Sequence, residues 1–90
     1  MVNLIYVVKG KRIMFDRTQF GVRLLSLREK NGLSQQTVAA ILGVTRTQIS
    51  DMENGKSGTN LDRLYQLCYH YKVSADYLLG ITDDPAWRGE

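Results

Sequence analysis

The sequence predicts an all-α fold of five short helices behind a short N-terminal β-hairpin-like extension. Three observations carry this. Apolar residues recur at helical spacing in five separate segments, each introduced by an Asp, Thr, Ser or Asn able to cap a helix. Four of those segments run into a glycine, the residue that most easily takes the left-handed turn past a helix end. Residues 1–15 follow a different rule, with β-branched and aromatic runs on either side of Lys9-Gly10-Lys11.

In that extension residues 4–8 and 12–15 read as two strands, and a lone hairpin is marginal in water unless a surface covers it. The first helix is expected over residues 18–31, capped by Asp16 or Thr18, with Phe20, Leu24 and Leu27 as its apolar stripe and Asn31-Gly32 as its stop. Ser34 caps the second, residues 35–42, whose inward face is Val38, Ala39 and Leu42 and which Gly43 breaks. Thr45 caps the third, residues 46–54, with Ile49 and Met52 inward and Asn54-Gly55 ending it. After the polar loop 56–59, Asn60 caps the fourth, whose stripe is Leu61, Leu64, Cys68 and Tyr71. Ser74 caps a short fifth carrying Tyr77, Leu78 and Leu79, stopped by Gly80. The last stretch, 83–90, has no period and reads as a loosely held tail.

Composition narrows the class. Ninety residues, 43% hydrophobic and 23% charged, fit one small globular domain. No apolar run approaches the roughly 20 residues of a membrane span, and residues 2–8 lack the basic leader of a secretory signal. The single cysteine, Cys68, has no partner for a disulfide or a metal and reads as a small buried apolar group, so a cytoplasmic location is expected. The net charge of +3 is unevenly placed. Residues 1–56 carry nine Lys and Arg (Lys9, Lys11, Arg12, Arg17, Arg23, Arg28, Lys30, Arg46, Lys56) against four acids (Asp16, Glu29, Asp51, Glu53). Residues 57–90 carry three bases (Arg63, Lys72, Arg88) against five acids (Asp62, Asp76, Asp83, Asp84, Glu90). A basic half of this kind suits a polyanion.

The informative stretch is residues 35–54. Two short helices joined by a tight turn must cross closely, which asks for a small residue at the crossing (Ala39), a positive-φ turn (Gly43), an apolar plug (Val44) and an inward face on the second helix (Ile49, Met52). The outward positions, Thr45, Arg46, Thr47, Gln48, Ser50 and Asp51, are nearly all hydrogen-bonding and none is large and apolar. A helix packed on one face and lined with Arg, Gln, Thr and Ser on the other suits the DNA major groove.

The run from Leu33 to Gly55, with the lead-in Leu27-Arg28-Glu29-Lys30-Asn31-Gly32 and the closing Ala75-Asp76-Tyr77-Leu78-Leu79-Gly80, resembles the helix-turn-helix of phage Cro and repressor proteins and their Xre-type bacterial relatives. The resemblance covers about residues 17–82. It departs from the common pattern at Thr59-Asn60, where many relatives carry Pro, and residues 1–15 have no counterpart. It implies a five-helix repressor-like DNA-binding domain and roles by position. Gln35 would reach a phosphate or a base beside it, and Arg46, Thr47 and Ser50 would face base edges. Gln36, Thr45, Gln48, Asn54 and Lys56 would hold the backbone, helped by helix N-termini. Arg28 and Glu53 would form a structural ion pair fixing the recognition helix. Apart from the resemblance, Arg63 reads as an ordinary surface charge.

Other chemistry is not indicated. His70 lies off the fourth helix's stripe, and no grouping of Ser, His and Asp, no Gly-rich phosphate loop and no metal-ligand spacing occurs, so neither an enzyme nor a cofactor, metal or small-molecule ligand is expected. The expected organisation is an extension at 1–15, a helix-turn-helix domain at 16–82 and a tail at 83–90. The expected partners are double-stranded DNA and a second copy of the chain, joined through the extension, with the fifth helix as a further candidate contact. The competing reading is an antitoxin or antirepressor module whose main partner is another protein; the polar outer face of the third helix argues for DNA.

Overall fold

The computed structural model describes residues 14–89, together with the backbone of Val7–Val8 and Lys11–Arg12. Strands β1 (Val7–Val8) and β2 (Lys11–Arg12) pair antiparallel in the register Val7↔Arg12 and Val8↔Lys11. The other apolar residues of the expected hairpin before Met14, Leu4 to Tyr6 and Ile13, lie outside the described residues. Met14 and Phe15 are not strand as expected, and Phe15 sits edge-on against Phe20 with ring centroids 5.4 Å apart.

Five helices follow: α1 (Arg17–Lys30), α2 (Gln35–Leu42), α3 (Arg46–Glu53), α4 (Leu61–Tyr71) and α5 (Ala75–Leu79). Each begins where a short polar side chain can replace the missing helical acceptor for its first free N–H groups. The Asp16 carboxylate accepts from the Thr18 and Gln19 amides, and Ser34, Asn60 and Ser74 each accept from the amide three residues on. Three helices close on a left-handed residue: Gly43 after α2, Gly80 after α5 and, without a glycine, Lys72 after α4 at φ 56°.

The core is shared among all five helices. Phe20, Leu24 and Leu27 from α1 meet Val38, Ala39 and Leu42 from α2, Ile49 and Met52 from α3, Leu67 and Cys68 from α4, then Val73 and Leu78. The fourth stripe departs from expectation. Leu61 is 83% exposed, whereas Leu67, absent from the expected stripe, is 1% exposed. Leu61 stands at the first residue of α4, ahead of the half-buried Leu64. Burial pushes the Cys68 thiol pKa up, consistent with an apolar role.

The tail is held more firmly than its sequence foretells. The Ser74 amide donates to the Pro85 carbonyl at 3.3 Å, and Trp87 packs edge-on against Tyr69 at 4.9 Å. Arg23 on α1 donates to the Tyr77 and Thr82 carbonyls at 2.5 and 2.8 Å and to Asp83 at 2.6 Å, and its guanidinium lies 4.1 Å over the Tyr77 ring. One arginine therefore joins α1, the end of α5 and the tail.

Candidate nucleic-acid interface

The surface is built on the α2–α3 turn. Gly43 takes φ 73° and ψ 34°, its N–H bonding back to the Ala39 and Ala40 carbonyls. The Val44 amide donates to the Ala39 carbonyl at 2.9 Å, and Val44 packs half-buried against the core. Thr45 then caps α3 in a reciprocal box: the Gln48 amide donates to Thr45 Oγ1 at 3.1 Å, and the Thr45 amide donates to Gln48 Oε1 at 2.9 Å. Orientation about the turn is thus fixed by backbone bonds and a cap together.

The crossing of α1 over the end of α3 depends on a residue that periodicity does not reveal. A Cβ on Gly21 would lie 2.4 Å from the Met52 carbonyl oxygen and 2.5 Å from that of Glu53. The two backbones can approach this closely only because that side chain is missing. A glycine inside a helical pattern was the available signal.

Arg28 and Glu53 form the expected pair. Arg28 Nε donates to Glu53 Oε2 at 2.6 Å and Nη2 to Oε1 at 3.1 Å, with side chains 14% and 4% exposed. Arg28 Nη1 also donates to the Leu33 carbonyl at 2.8 Å, so the guanidinium ties together α1, the α1–α2 loop and α3. The hydrogen bond to Glu53 pushes the Arg28 pKa further up, against the opposing effect of burial.

A further link joins this pair to the surface. Gln35 Nε2 donates to Glu53 Oε1 at 3.0 Å, and Gln35 Oε1 accepts from Arg46 Nη1 at 3.0 Å. The sequence placed Gln35 and Arg46 on one face but gave no sign that they touch.

Around that link, Arg46, Thr47 and Gln48 are exposed and Ser50 is half-buried, while Ile49, Met52 and Glu53 face inward. Gln36, Thr45, Asn54 and Lys56 are exposed beside them. Asn54 Nδ2 donates to Ser50 Oγ at 3.3 Å, so these two act as a local pair. Among the described residues the Gln36 amide, the Thr47 hydroxyl and the Lys56 ammonium have no partner. Arg63 is not the plain surface charge expected: it is half-buried and donates from Nη1 to the Leu42 carbonyl at 3.1 Å, closing the end of α2. His70 is half-buried rather than on the surface, and its Nε2 is buried without a hydrogen-bond partner among the described residues.

Two short helices locked at a glycine turn, the second polar outward and packed inward, define a helix-turn-helix DNA-binding domain. The profile of the helix-turn-helix family HTH_3 matches residues 24–78, and the chain belongs to that family, the Cro and repressor-like regulators, which are not enzymes. The HTH-type transcriptional regulator YobD of Bacillus subtilis is 36% identical over 63 residues, covering 70% of this chain and 56% of the relative. The chain spans about half the length of the first curated relatives it matches. Among solved structures, the restriction-modification controller protein C.AhdI from Aeromonas hydrophila matches with TM-score 0.64 and 32% identity, over 70% of this chain and 96% of that one. The P22 c2 repressor, solved in complex with a synthetic operator, matches with TM-score 0.64 and 30% identity, over 67% and 91%.

Proposed function

We propose that the chain is a sequence-specific regulator of transcription, a phage- or prophage-type repressor acting in the cytoplasm, which binds a two-fold symmetric operator as a dimer with α3 in the major groove. The observation that carries this reading is the outer face of α3, polar along its length and held rigid from behind by the Arg28–Glu53 pair. In this reading Arg46, Thr47 and Ser50 face base edges, with Gln35 beside them. Gln36, Thr45, Gln48, Asn54 and Lys56 hold the phosphates, and the N-termini of α2 and α3 point at the backbone. The P22 c2 repressor, solved in complex with a synthetic operator, supports duplex DNA as the partner.

One α3 reads only a few base pairs, so useful specificity asks for two copies spaced about 34 Å apart along the duplex. Residues 1–15 supply an apolar extension for that association, and α5 is a second candidate element. The exposed α4 face, where the Tyr65 ring lies tilted against Tyr69 at 4.8 Å and Tyr69 meets Trp87 edge-on, supports a protein partner nearby. Selection from a pool of random duplexes tests the whole reading: inverted half-sites about 10 base pairs apart, centre to centre, are expected. Failure to enrich any sequence would refute it. Sedimentation of the full chain beside one starting at Met14 tests the extension, since equal masses and equal operator affinities would remove it from the dimer.

A further inference from the structure

We infer that the N-terminal extension of one copy docks in the groove between α4 and the C-terminal tail of a second copy, and that this exchange of extensions joins the dimer. The inference rests on the reading of the chain as a dimer through residues 1–15 and adds the surface that those residues meet.

Helix α4 carries an apolar row that its own domain leaves in solvent. Leu61, Tyr65 and Tyr69 recur at i, i+4 and i+8, which sets them on one face, and they are 83%, 64% and 40% exposed. Trp87 in the tail meets Tyr69 edge-on at 4.9 Å, so the row ends on a second aromatic wall. Leu64 and Ala75, both half-buried, line the open groove between α4, α5 and the tail. A contiguous apolar surface of this kind marks a place where another surface docks. Its surroundings lean acidic. Asp76 and Asp84, both exposed, line the groove, and Asp62 is exposed beside Leu61. Of the cations nearby, Arg88 is exposed, and Lys72 is drawn over the Tyr69 and Trp87 rings at 5.5 and 5.3 Å. The partner that fits is therefore apolar and basic together.

The extension has that chemistry. Leu4-Ile5-Tyr6-Val7-Val8 is apolar throughout, Lys9, Lys11 and Arg12 follow it, and residues 1–15 contain no acid. The register of β1 and β2 sets a valine opposite a cation at both positions, Val7 with Arg12 and Val8 with Lys11. A two-stranded ribbon is marginal in water without a surface to cover it. The groove on its own domain is not the one the extension meets on leaving that domain. Met14 lines a different groove with Gly55, Leu79 and Gly80, at the opposite end of α5 from Ala75 and Asp76. Between two copies the contact is made twice by symmetry, which brings a short ribbon closer to the roughly 1,200 Å² that stable association asks for.

The test follows the full chain and its variants by sedimentation over a range of concentrations. Val7→Asp alters the extension, and Tyr65→Arg alters the groove at an exposed helical position that leaves the core alone; thermal melts check that both fold. Each variant by itself should self-associate about tenfold or more weakly than the parent, since each sets a charge against an apolar or like-charged surface. Mixed in equal amounts, the two should regain dimer at concentrations where each alone is a monomer, because the mixed dimer keeps one unaltered contact. Parent-like self-association by either variant, or a mixture no stronger than its components, would overturn the exchange while dimerisation itself stands. A parent that stays monomeric would overturn both. Trp87 is the only tryptophan, so its fluorescence watches the groove, and the parent's emission should move to the red on dilution. Emission that ignores dilution yet shifts in Val7→Asp would put the extension in the groove of its own chain and overturn the exchange. Lys9→Gln combined with Lys11→Gln should weaken self-association several-fold. Unchanged self-association, with the salt slope of duplex binding shallower by about 0.9 per residue, would put the extension on DNA instead.

Discussion

Replacing Arg28 with alanine leaves the Glu53 carboxylate, 4% exposed, with Gln35 as its remaining hydrogen-bond partner. Stranding a buried charge costs about 3–5 kcal/mol, whereas removing an exposed cation usually changes stability by about 0.5 kcal/mol or less. Denaturant midpoints should therefore fall much further for Arg28→Ala than for Lys30→Ala, its exposed neighbour on α1. Equal midpoints would show that the pair contributes nothing. Arg63, which reads from the sequence as an ordinary surface charge, cannot serve as the control because it closes the end of α2. Beside the pair, burial and then the Glu53 charge push the Tyr71 pKa from 10.0 up to about 12, with Arg28 pulling it back. The folded chain keeps that phenol protonated where the unfolded chain has lost its proton. This contribution is intact below pH 10 and is lost as pH rises towards 12. Stability measured across that window should fall less steeply for Tyr71→Phe than for the parent; identical slopes would exclude Tyr71 as the source.

At the scale of elements, the helices and their ends were legible because caps and stops are local. Ser34, Gly43, Thr45, Asn60, Ser74 and Gly80 each act within a few residues of their own position, and each stands where the sequence placed it. The links between elements were not legible, because periodicity says which face is inward and nothing about which polar groups meet across it. Arg23 reaching Tyr77, Thr82 and Asp83, Arg63 reaching Leu42, and Gln35 joining Glu53 to Arg46 are all of this kind. The α1–α3 crossing gives the sharpest test. Alanine at Gly21 gains about 1 kcal/mol in helix propensity, but overpacking costs about 1–3 kcal/mol, and here the obstacles are carbonyl groups that cannot rotate away. Gly21→Ala should lower the melting temperature despite the better helix former; a raised one would mean the helices separate without cost.

On the scale of the whole molecule, the basic first half is less available to DNA than its composition implies. Arg23 is bound by carbonyls and Asp83, and Arg28 by Glu53 and the Leu33 carbonyl. Arg17, Lys30, Arg46 and Lys56 are the exposed cations of residues 14–56. Charge removed from the exposed set should change the salt dependence of binding, while charge removed from the internal set should not. Lys56→Ala is expected to make the slope of log affinity against log salt shallower by about 0.9, the effect of one phosphate contact. Arg23→Met should leave it unchanged, although both variants lose one positive charge, and equal changes would show that net charge alone governs binding. In the proposed complex α3 and the start of α2 meet the duplex. Titrating the 15N-labelled chain with a selected duplex, and following each backbone amide by NMR, tests that contact. Shifts should concentrate at Gln35, Gln36, Thr45 to Ser50, and Asn54 to Lys56. Shifts confined to the Tyr65, Tyr69 and Trp87 face, with the α3 amides unmoved, would contradict it.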